Sequence, residues 1–534
     1  MTHGSVCNDR HVSSTEAPTA GGVVDASAPG TGPHGPVPVG RWAYRAGLVV
    51  LGLQFVALIV LSVVTYRRYT LGIDFAIFNQ AWSQIGTGHL DPMSTLHGYP
   101  FIESHFELLM WPLALLHPLV HSSFVLLVVQ DVALVGTEVV TFTWVAALVR
   151  RSGLSTAWTA ALLAGTLAVL VATPGLYTTV VEDFHFEAVA TFFVVFAAYD
   201  LWSGRTRRLW VWVVLALLCG DVAGLYVLAV GLSGVVVRGR RREGLALVVV
   251  GVAWVGLITV LGDNQGSNFA TGYAYLAGRT SLPGGLHGLA LVAGGLATHP
   301  GRAVHLASHR VGTAVRYVLN GGAIGVASPW GFFVPLVVLG TSILQYEGVF
   351  IGLPFQNYVV VPFVAFGSVW FVVWVATRWR TRYRTALAVT AAVAALLIGV
   401  GSSAQRWPTA LDFNASHGFV PGPTAAALGQ VLARTPSDAE VAAPLATVGR
   451  FGQRPFVYVL VHQAGGPDPP IPVSARTVVV VVDPDIAPLL LSPTSSAGLV
   501  RDLERQGARV LVSSSGVTAL LWHPSAGVTS FRIP

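Results

Sequence analysis

Apolar runs of 13 to 28 residues recur along most of this chain, and the polar residues between them bunch rather than alternate. A helix needs roughly 20 apolar residues to cross a bilayer. The runs predict crossings at 46–65, 122–149, 154–173, 187–202, 208–220, 222–237, 243–262, 312–327, 330–345, 358–376 and 385–402. They are read without a charge near their middles and without an internal repeat. After Ser402 the period shortens. "EVAAP", "FVYVL", "TVVVVVD", "ARVLVSS" and "TALLWH" read as short strands. "PTAAALGQVLART" and "SSAGLVRDLERQG" read as amphipathic helices between them, the second closed by Gly507. The pattern therefore predicts a mainly α fold: a polytopic membrane helix bundle of about eleven crossings over 41–402, then an α/β domain over 403–534.

Composition agrees with the pattern. Of 534 residues, 53% are hydrophobic and 10% charged, where a soluble domain carries about a quarter. Every one of the 31 basic residues is Arg, and the arginines flank apolar runs, so the net charge of +6 is no nucleic-acid patch. Cys7 and Cys219 have no spacing that suits a metal, and their positions disfavour a disulfide. Residues 1–40, rich in Gly, Pro, Ser and Thr, predict a disordered tail and lack the features of a signal peptide.

Cytoplasmic loops carry the arginine excess in multi-pass proteins. Arg41 and Arg45, Arg150 and Arg151, Arg205 to Arg208, Arg238 to Arg242 and Arg378 to Arg384 fall on one side if the N-terminus is cytoplasmic. That orientation puts the C-terminal domain outside the plasma membrane. It also gathers the acids outside: Asp74, Asp91, Glu103 and Glu107, then Glu182, Asp183 and Glu187, then Asp221 and Asp263. An outer loop can be acidic merely because arginines are kept inside. Asp183, His185 and Asp221, however, adjoin apolar segments where an unpaired charge is costly.

Two long outer segments stand out, 66–121 and 263–311. The first holds "DFAIFNQAW", with Ile73, Ala76, Ile77 and Ala81 on one face of an interfacial helix, and "HFELLMWPLALLHPLVH", too short and Pro-broken for a crossing. The second carries Tyr273, Tyr275, Arg279, Arg302 and Arg310, suited to headgroup level as anchors or as phosphate clamps. In "VVVVVDPD", Asp483 and Asp485 end a strand.

The ordered series "GIDFAIFNQAW", "SHFELLMWPLALLHP", "EDFHFEAVA", "GDVAGLYVLAVGL", "TGYAYL…THPGRAV…SPWGFFVPLVVLGTSILQYE" and "SDAEVAAPLATVGRFGQRPFVYVL" resembles the bacterial domain-of-unknown-function family numbered two-zero-seven-nine. The resemblance covers nearly everything after residue 45. Where that family usually has Lys-Glu-Asp, this chain has Cys219, Gly220 and Asp221; where it tends to His-Tyr before a late helix, this chain has Asn357 and Tyr358. The family is similar in architecture to GT-C glycosyltransferases, which take a sugar from a polyprenyl-phosphate carrier outside the membrane.

The resemblance implies an inverting transfer to a cell-envelope glycan or protein, with Asp74 as the acid that takes the acceptor proton and Asp183 as second choice. Arg67, Arg68, Arg279 and Arg302 would neutralise the leaving phosphate. Glu103, His105, His185, Glu187, Asp221 and Tyr358 are the supporting set, to orient the acid or to hold Mg²⁺ or Mn²⁺. The enzyme reading rests on resemblance alone, since fold does not determine function. A transporter or flippase, or a non-catalytic membrane scaffold, are the alternatives.

Overall fold

The computed structural model describes residues 40–261, 272–345, 352–379, 382–411, 419–460, 470–483 and 493–533. The tail with Cys7, as well as Asp263 and Asp485, lie outside the described residues. The chain is a mainly helical membrane protein with a small C-terminal sheet domain.

The helices, in chain order, are α1 (Gly40–Arg67), α2 (Ile73–Gly86), α3 (Phe124–Arg151), α4 (Thr156–Ala172), α5 (Pro174–Val181), α6 (Phe186–Ser203), α7 (Thr206–Leu217) and α8 (Val222–Val236). They continue with α9 (Arg241–Leu261), α10 (Gly285–Thr298), α11 (Pro300–Asn320), α12 (Pro329–Leu344), α13 (Val360–Arg378) and α14 (Arg384–Ala404). In the C-terminal domain follow α15 (Gly422–Arg434) and α16 (Pro493–Arg505). Among the described residues, 7 helices are long and apolar enough to cross a membrane, against the eleven expected. α7 and α8, with 12 and 15 residues, are shorter than a crossing, as is α12 with 16.

The expected crossing at 312–327 is not one. Its first half belongs to α11, a helix that starts at Pro300 and exposes His and Arg side chains along one face. The helix stops at Gly321, and Gly322 (φ +92°) and Ala323 (φ +55°) turn the chain left-handed into α12. The turn is enclosed: a Cβ on Gly322 would sit 2.9 Å from the Ala395 carbonyl, and one on Gly367 would sit 2.5 Å from the Gly325 carbonyl. Irregular backbone is tolerated within a bundle when protein surrounds it. Thus α11 and α12 form a hairpin whose tip is covered by α13 and α14.

The C-terminal sheet has strands β1 (Glu440–Pro444), β2 (Val457–Leu460), β3 (Val478–Val482), β4 (Arg509–Ser514) and β5 (Val517–Trp522), in the order β2-β1-β3-β5-β4. β1 is parallel to β2 and β3, and β5 is antiparallel to β3 and β4. Each strand falls where the short apolar runs predict it. One face packs on α15, the other on α16.

The sheet's core also takes in Tyr69 and Ala76, from the segment after α1. The Gly449 N–H donates to the Leu71 carbonyl (3.0 Å), and Asn79 donates to the Gly449 carbonyl (2.9 Å). Gln80 donates to the Arg454 and Pro455 carbonyls (3.2 and 3.0 Å), and the Arg450 guanidinium lies 4.4 and 4.3 Å from the ring centres of Tyr66 and Tyr69. α2 is therefore no half-exposed interfacial helix. It is buried from Phe75 through Trp82, its polar face covered by the domain rather than by water. "HFELLMWPLALLHPLVH" yields only a five-residue helix, Met110–Ala114, with Leu115 and Leu119 exposed.

Candidate active site

At the end of the bundle where the sheet domain docks, the first turn of α2 has amide hydrogens and no cap of its own. Four N–H groups at a helix start need partners, and a carboxylate there also meets the positive end of the helix dipole. Asp183, from the loop between α5 and α6, fills that place. Its Oδ1 accepts from the Gly72 N–H (2.6 Å) and its Oδ2 from the Asp74 N–H (3.1 Å). The loop is held in turn by Gln130 of α3, which donates to the Thr179 and Asp183 carbonyls (3.2 and 3.3 Å) and accepts from the His185 N–H (2.7 Å). Gly72 sits in a tight place: a Cβ would lie 3.1 Å from Asp183 and 3.3 Å from the Leu445 carbonyl, so either would have to give by a few tenths of an ångström.

Asp74 is different. Among the described residues no hydrogen bond reaches its carboxylate, which is partly buried with the His105 imidazole nearby. Burial raises its pKa above the usual aspartate value, and His105 opposes that rise. Burial pushes Asp183 up to about 7, with the Asp74 charge adding and the backbone N–H groups opposing. Glu182 is pushed up to about 8 by burial, then by the charges of Asp183 and Asp74. Asp74, Asp183 and Glu182 are thus one electrostatic cluster.

The remaining expected residues divide into neighbours and structural members. The His105 Nδ1 lies 3.6 Å from Glu107 Oε1, and Glu107 is raised well above its usual pKa by burial and then by Asp221. Asp221 caps α8 through the Val222 N–H (2.8 Å). His185 stacks on Phe355 at 3.4 Å between ring centres, and burial drives its pKa down to about 3, so the imidazole is neutral packing. Glu187 accepts from Gln356 (3.4 Å). Glu103 is partly buried near Tyr99. Tyr358 does not join the group: it is buried in the bundle, its hydroxyl donating to Glu138 (3.4 Å). Among the described residues no three His, Cys, Asp or Glu side chains are arranged to hold a metal ion, so the expected Mg²⁺ or Mn²⁺ finds no ligand set there.

The expected phosphate arginines do not converge. Arg67 and Arg279 are exposed. Arg68 donates to the Val420 carbonyl (3.2 Å), and Arg302 to the carbonyls of Tyr275 and Leu276 (3.4 and 3.2 Å). Two other arginines face a shared space. Arg316 of α11 and Arg406, just past α14, line a cavity of about 560 Å³ with Glu182, Tyr317, Ser402 and Gln405. An apolar pocket of about 160 Å³ lies between α4, α13 and α14, lined by Leu162, Gly165, Ala365, Val369, Ala392 and Leu396. Along α14 the two linings come within six residues, Leu396 to Ser402, about 9 Å at helical rise. No spacing in the sequence announces the arginine pair, because its members come from helices ninety residues apart.

One reading from sequence is overturned. The apolar run 122–149 does carry charge near its middle: Asp131 and Glu138 lie within α3, both with no exposed surface.

Compared with known proteins, residues 67–463 match the family described as Predicted membrane protein (DUF2079). No curated protein matches the sequence. Among solved structures, the chain is similar to ArnT from Cupriavidus metallidurans bound to undecaprenyl phosphate, at 13% identity and a TM-score of 0.48, covering 89% of this chain and 97% of that one. It is also similar to apo ArnT from the same organism, at 15% identity and a TM-score of 0.44, covering 89% and 98%.

Proposed function

The chain belongs to this family of membrane proteins, and on that premise we propose that it is a glycosyltransferase that takes a sugar from a polyprenyl-phosphate carrier. The observation that carries the reading is a polar cavity that holds two arginines and, through Glu182, adjoins the Asp74 cluster, with an apolar pocket farther along the same helix α14. An isoprenoid chain suits the apolar space and a phosphate suits Arg316 and Arg406. The N-terminus is cytoplasmic in this reading, and the sheet domain and the cavity face outward.

The step is a direct displacement at the anomeric carbon. The acceptor oxygen bonds to that carbon as the bond to the carrier phosphate breaks, and Asp74 takes the acceptor's hydroxyl proton. Burial suits Asp74 to this, since a carboxylate of raised pKa is a stronger base. The arginines balance the charge on the departing phosphate. Asp183 is then a positioning residue rather than a second base, because both its oxygens serve the start of α2.

The test is binding and turnover of polyprenyl-phosphate sugars by the protein in nanodiscs. Saturable binding in the wild type and Asp74→Asn, turnover in the wild type alone, and binding about tenfold weaker in Arg406→Leu would support the reading. Absence of lipid-phosphate binding would sink it. A second reading, ion-coupled transport, is favoured by Asp131 and Glu138 within a membrane helix.

A further inference from the structure

Three acids lie fully buried within the candidate membrane helices, and they are treated differently. Asp200 of α6 is met by Arg208 (3.1 Å), Arg205 (3.7 Å) and the Trp212 indole N–H (3.0 Å). Asp131 and Glu138 of α3 have no cation: among the described residues no ion pair involves either. Asp131 is seven residues into α3 and Glu138 fourteen, in a helix of 28 residues, which places them about 10 and 21 Å along a span of about 42 Å.

What faces them is polar and neutral. On α1, Gln54, Ser62 and Thr65 are buried and share the face turned to α3. The Ser62 hydroxyl donates to Asp131 Oδ2 (2.8 Å), and the Tyr358 hydroxyl donates to Glu138 Oε1 (3.4 Å), with Gln54 beside it. Tyr177 of α5 and Tyr358 at the start of α13 are the titratable side chains facing Glu138. The other oxygens, Asp131 Oδ1 and Glu138 Oε2, are buried and have no hydrogen-bond partner among the described residues. An ionised carboxylate with neither cation nor full hydrogen bonding is strongly disfavoured inside a bundle. A protonated one carries no charge and avoids most of that cost.

Residues beside this site in sequence reach the outer end of the bundle. Gln130, next to Asp131, holds the loop that carries Asp183, and Gln356, two residues before Tyr358, donates to Glu187 (3.4 Å). We propose that Asp131 and Glu138 form a proton-binding site in the membrane interior, between α1, α3 and α13, which exchanges its protons with the end of the bundle that holds the Asp74 cluster. The proposal holds whichever reaction that cluster carries out, and it assigns a role to two carboxylates that sugar transfer leaves without one.

The test is infrared difference spectroscopy of the full chain in nanodiscs, reading the C=O stretch of protonated carboxyl groups at neutral pH. Glu138→Gln and Asp131→Asn should each remove part of that band, and transfer to D₂O should shift what the two residues contribute. Tyr358→Phe should move the Glu138 component in frequency without abolishing it, which keeps the test readable if either acid variant fails to fold. A band that neither acid variant changes would overturn the proposal. So would a component that never shifts in D₂O, since it would mark a sealed structural acid, or one that appears only once Na⁺ is removed, since it would mark a metal site.

Discussion

Asp74 and Asp183 lie at the same end of the bundle and feel each other's charge, yet the structure uses them in opposite ways. Asp183 reaches across more than a hundred residues of sequence to take two backbone N–H groups at the start of α2. Asp74 sits in that very turn, donates its own N–H to Asp183 and keeps its carboxylate unengaged. A helix start attracts acids for two reasons: its amides need acceptors, and its dipole favours negative charge. Once one acid has met both needs, the next one along is available for chemistry.

The strongest way to break this comparison is to remove each carboxylate separately. Asp74→Asn keeps the side chain's size and leaves the cap intact, so the fold should hold while turnover falls by about 10²- to 10⁴-fold, the usual worth of a positioned base. Asp183→Ala should do the reverse first. It strands the Gly72 and Asp74 N–H groups and removes charge-assisted hydrogen bonds, for a loss of about 3 kcal/mol measured by thermal unfolding in nanodiscs. Equal stability losses in the two variants would mean that the division of labour is wrong.

A smaller effect comes from the opposite side of α2. Arg450 of the sheet domain lies against the rings of Tyr66 and Tyr69, so the segment between α1 and α2 is clamped by the domain just as Asp183 clamps it from the bundle. Arg450→Leu keeps much of the packing and loses the cation. The expected cost is about 1 kcal/mol in unfolding, with turnover reduced less than in Asp74→Asn. A turnover loss as large as that of Asp74→Asn would show that the domain acts on substrate rather than on α2.

How far the sequence discloses this arrangement depends on what produces each part. The strands of the C-terminal domain are legible because runs such as Val478–Val482 lie in a sheet with both faces covered, which demands unbroken apolar residues. The end of α1 and the place of Asp74 are legible because arginine and tyrosine mark the run's limit. α11 was misread because its apolar stretch is one face of an amphipathic helix, joined by sequence to an apolar turn at Gly321. Asp131 and Glu138 are hard to see in the pattern because two acids seven residues apart leave the run around them apolar enough to read as a crossing. The cavity arginines were beyond reach for a different reason: Arg316 and Arg406 meet only after α11 and α14 pack, and nothing local in either stretch records that.

The smallest effect separates the two aspartates most finely, through Glu182. Its folded pKa is about 8, above the ordinary 4.5, so between those values the folded chain holds a proton that the unfolded chain has released. Stability from this group is therefore fully present below about pH 4.5 and is lost as pH rises through about 8. Asp183, held up at about 7, acts in the same sense. Burial is the largest cause for Glu182, and the Asp183 charge outweighs that of Asp74 among its neighbours. Asp74→Asn removes the lesser of these charges without touching a hydrogen bond to the backbone. The alkaline loss of stability should then be slightly smaller and complete at a lower pH, with little change at acid pH, in unfolding curves taken between about pH 5 and 9. Asp183→Asn should reduce it further while also lowering stability at every pH, because the amide NH₂ cannot accept one of the two N–H groups that the carboxyl oxygens accept at the start of α2. If both variants move the curve equally and neither lowers its acid plateau, Asp183 is no anchor, and the two aspartates are equivalent members of one acidic patch.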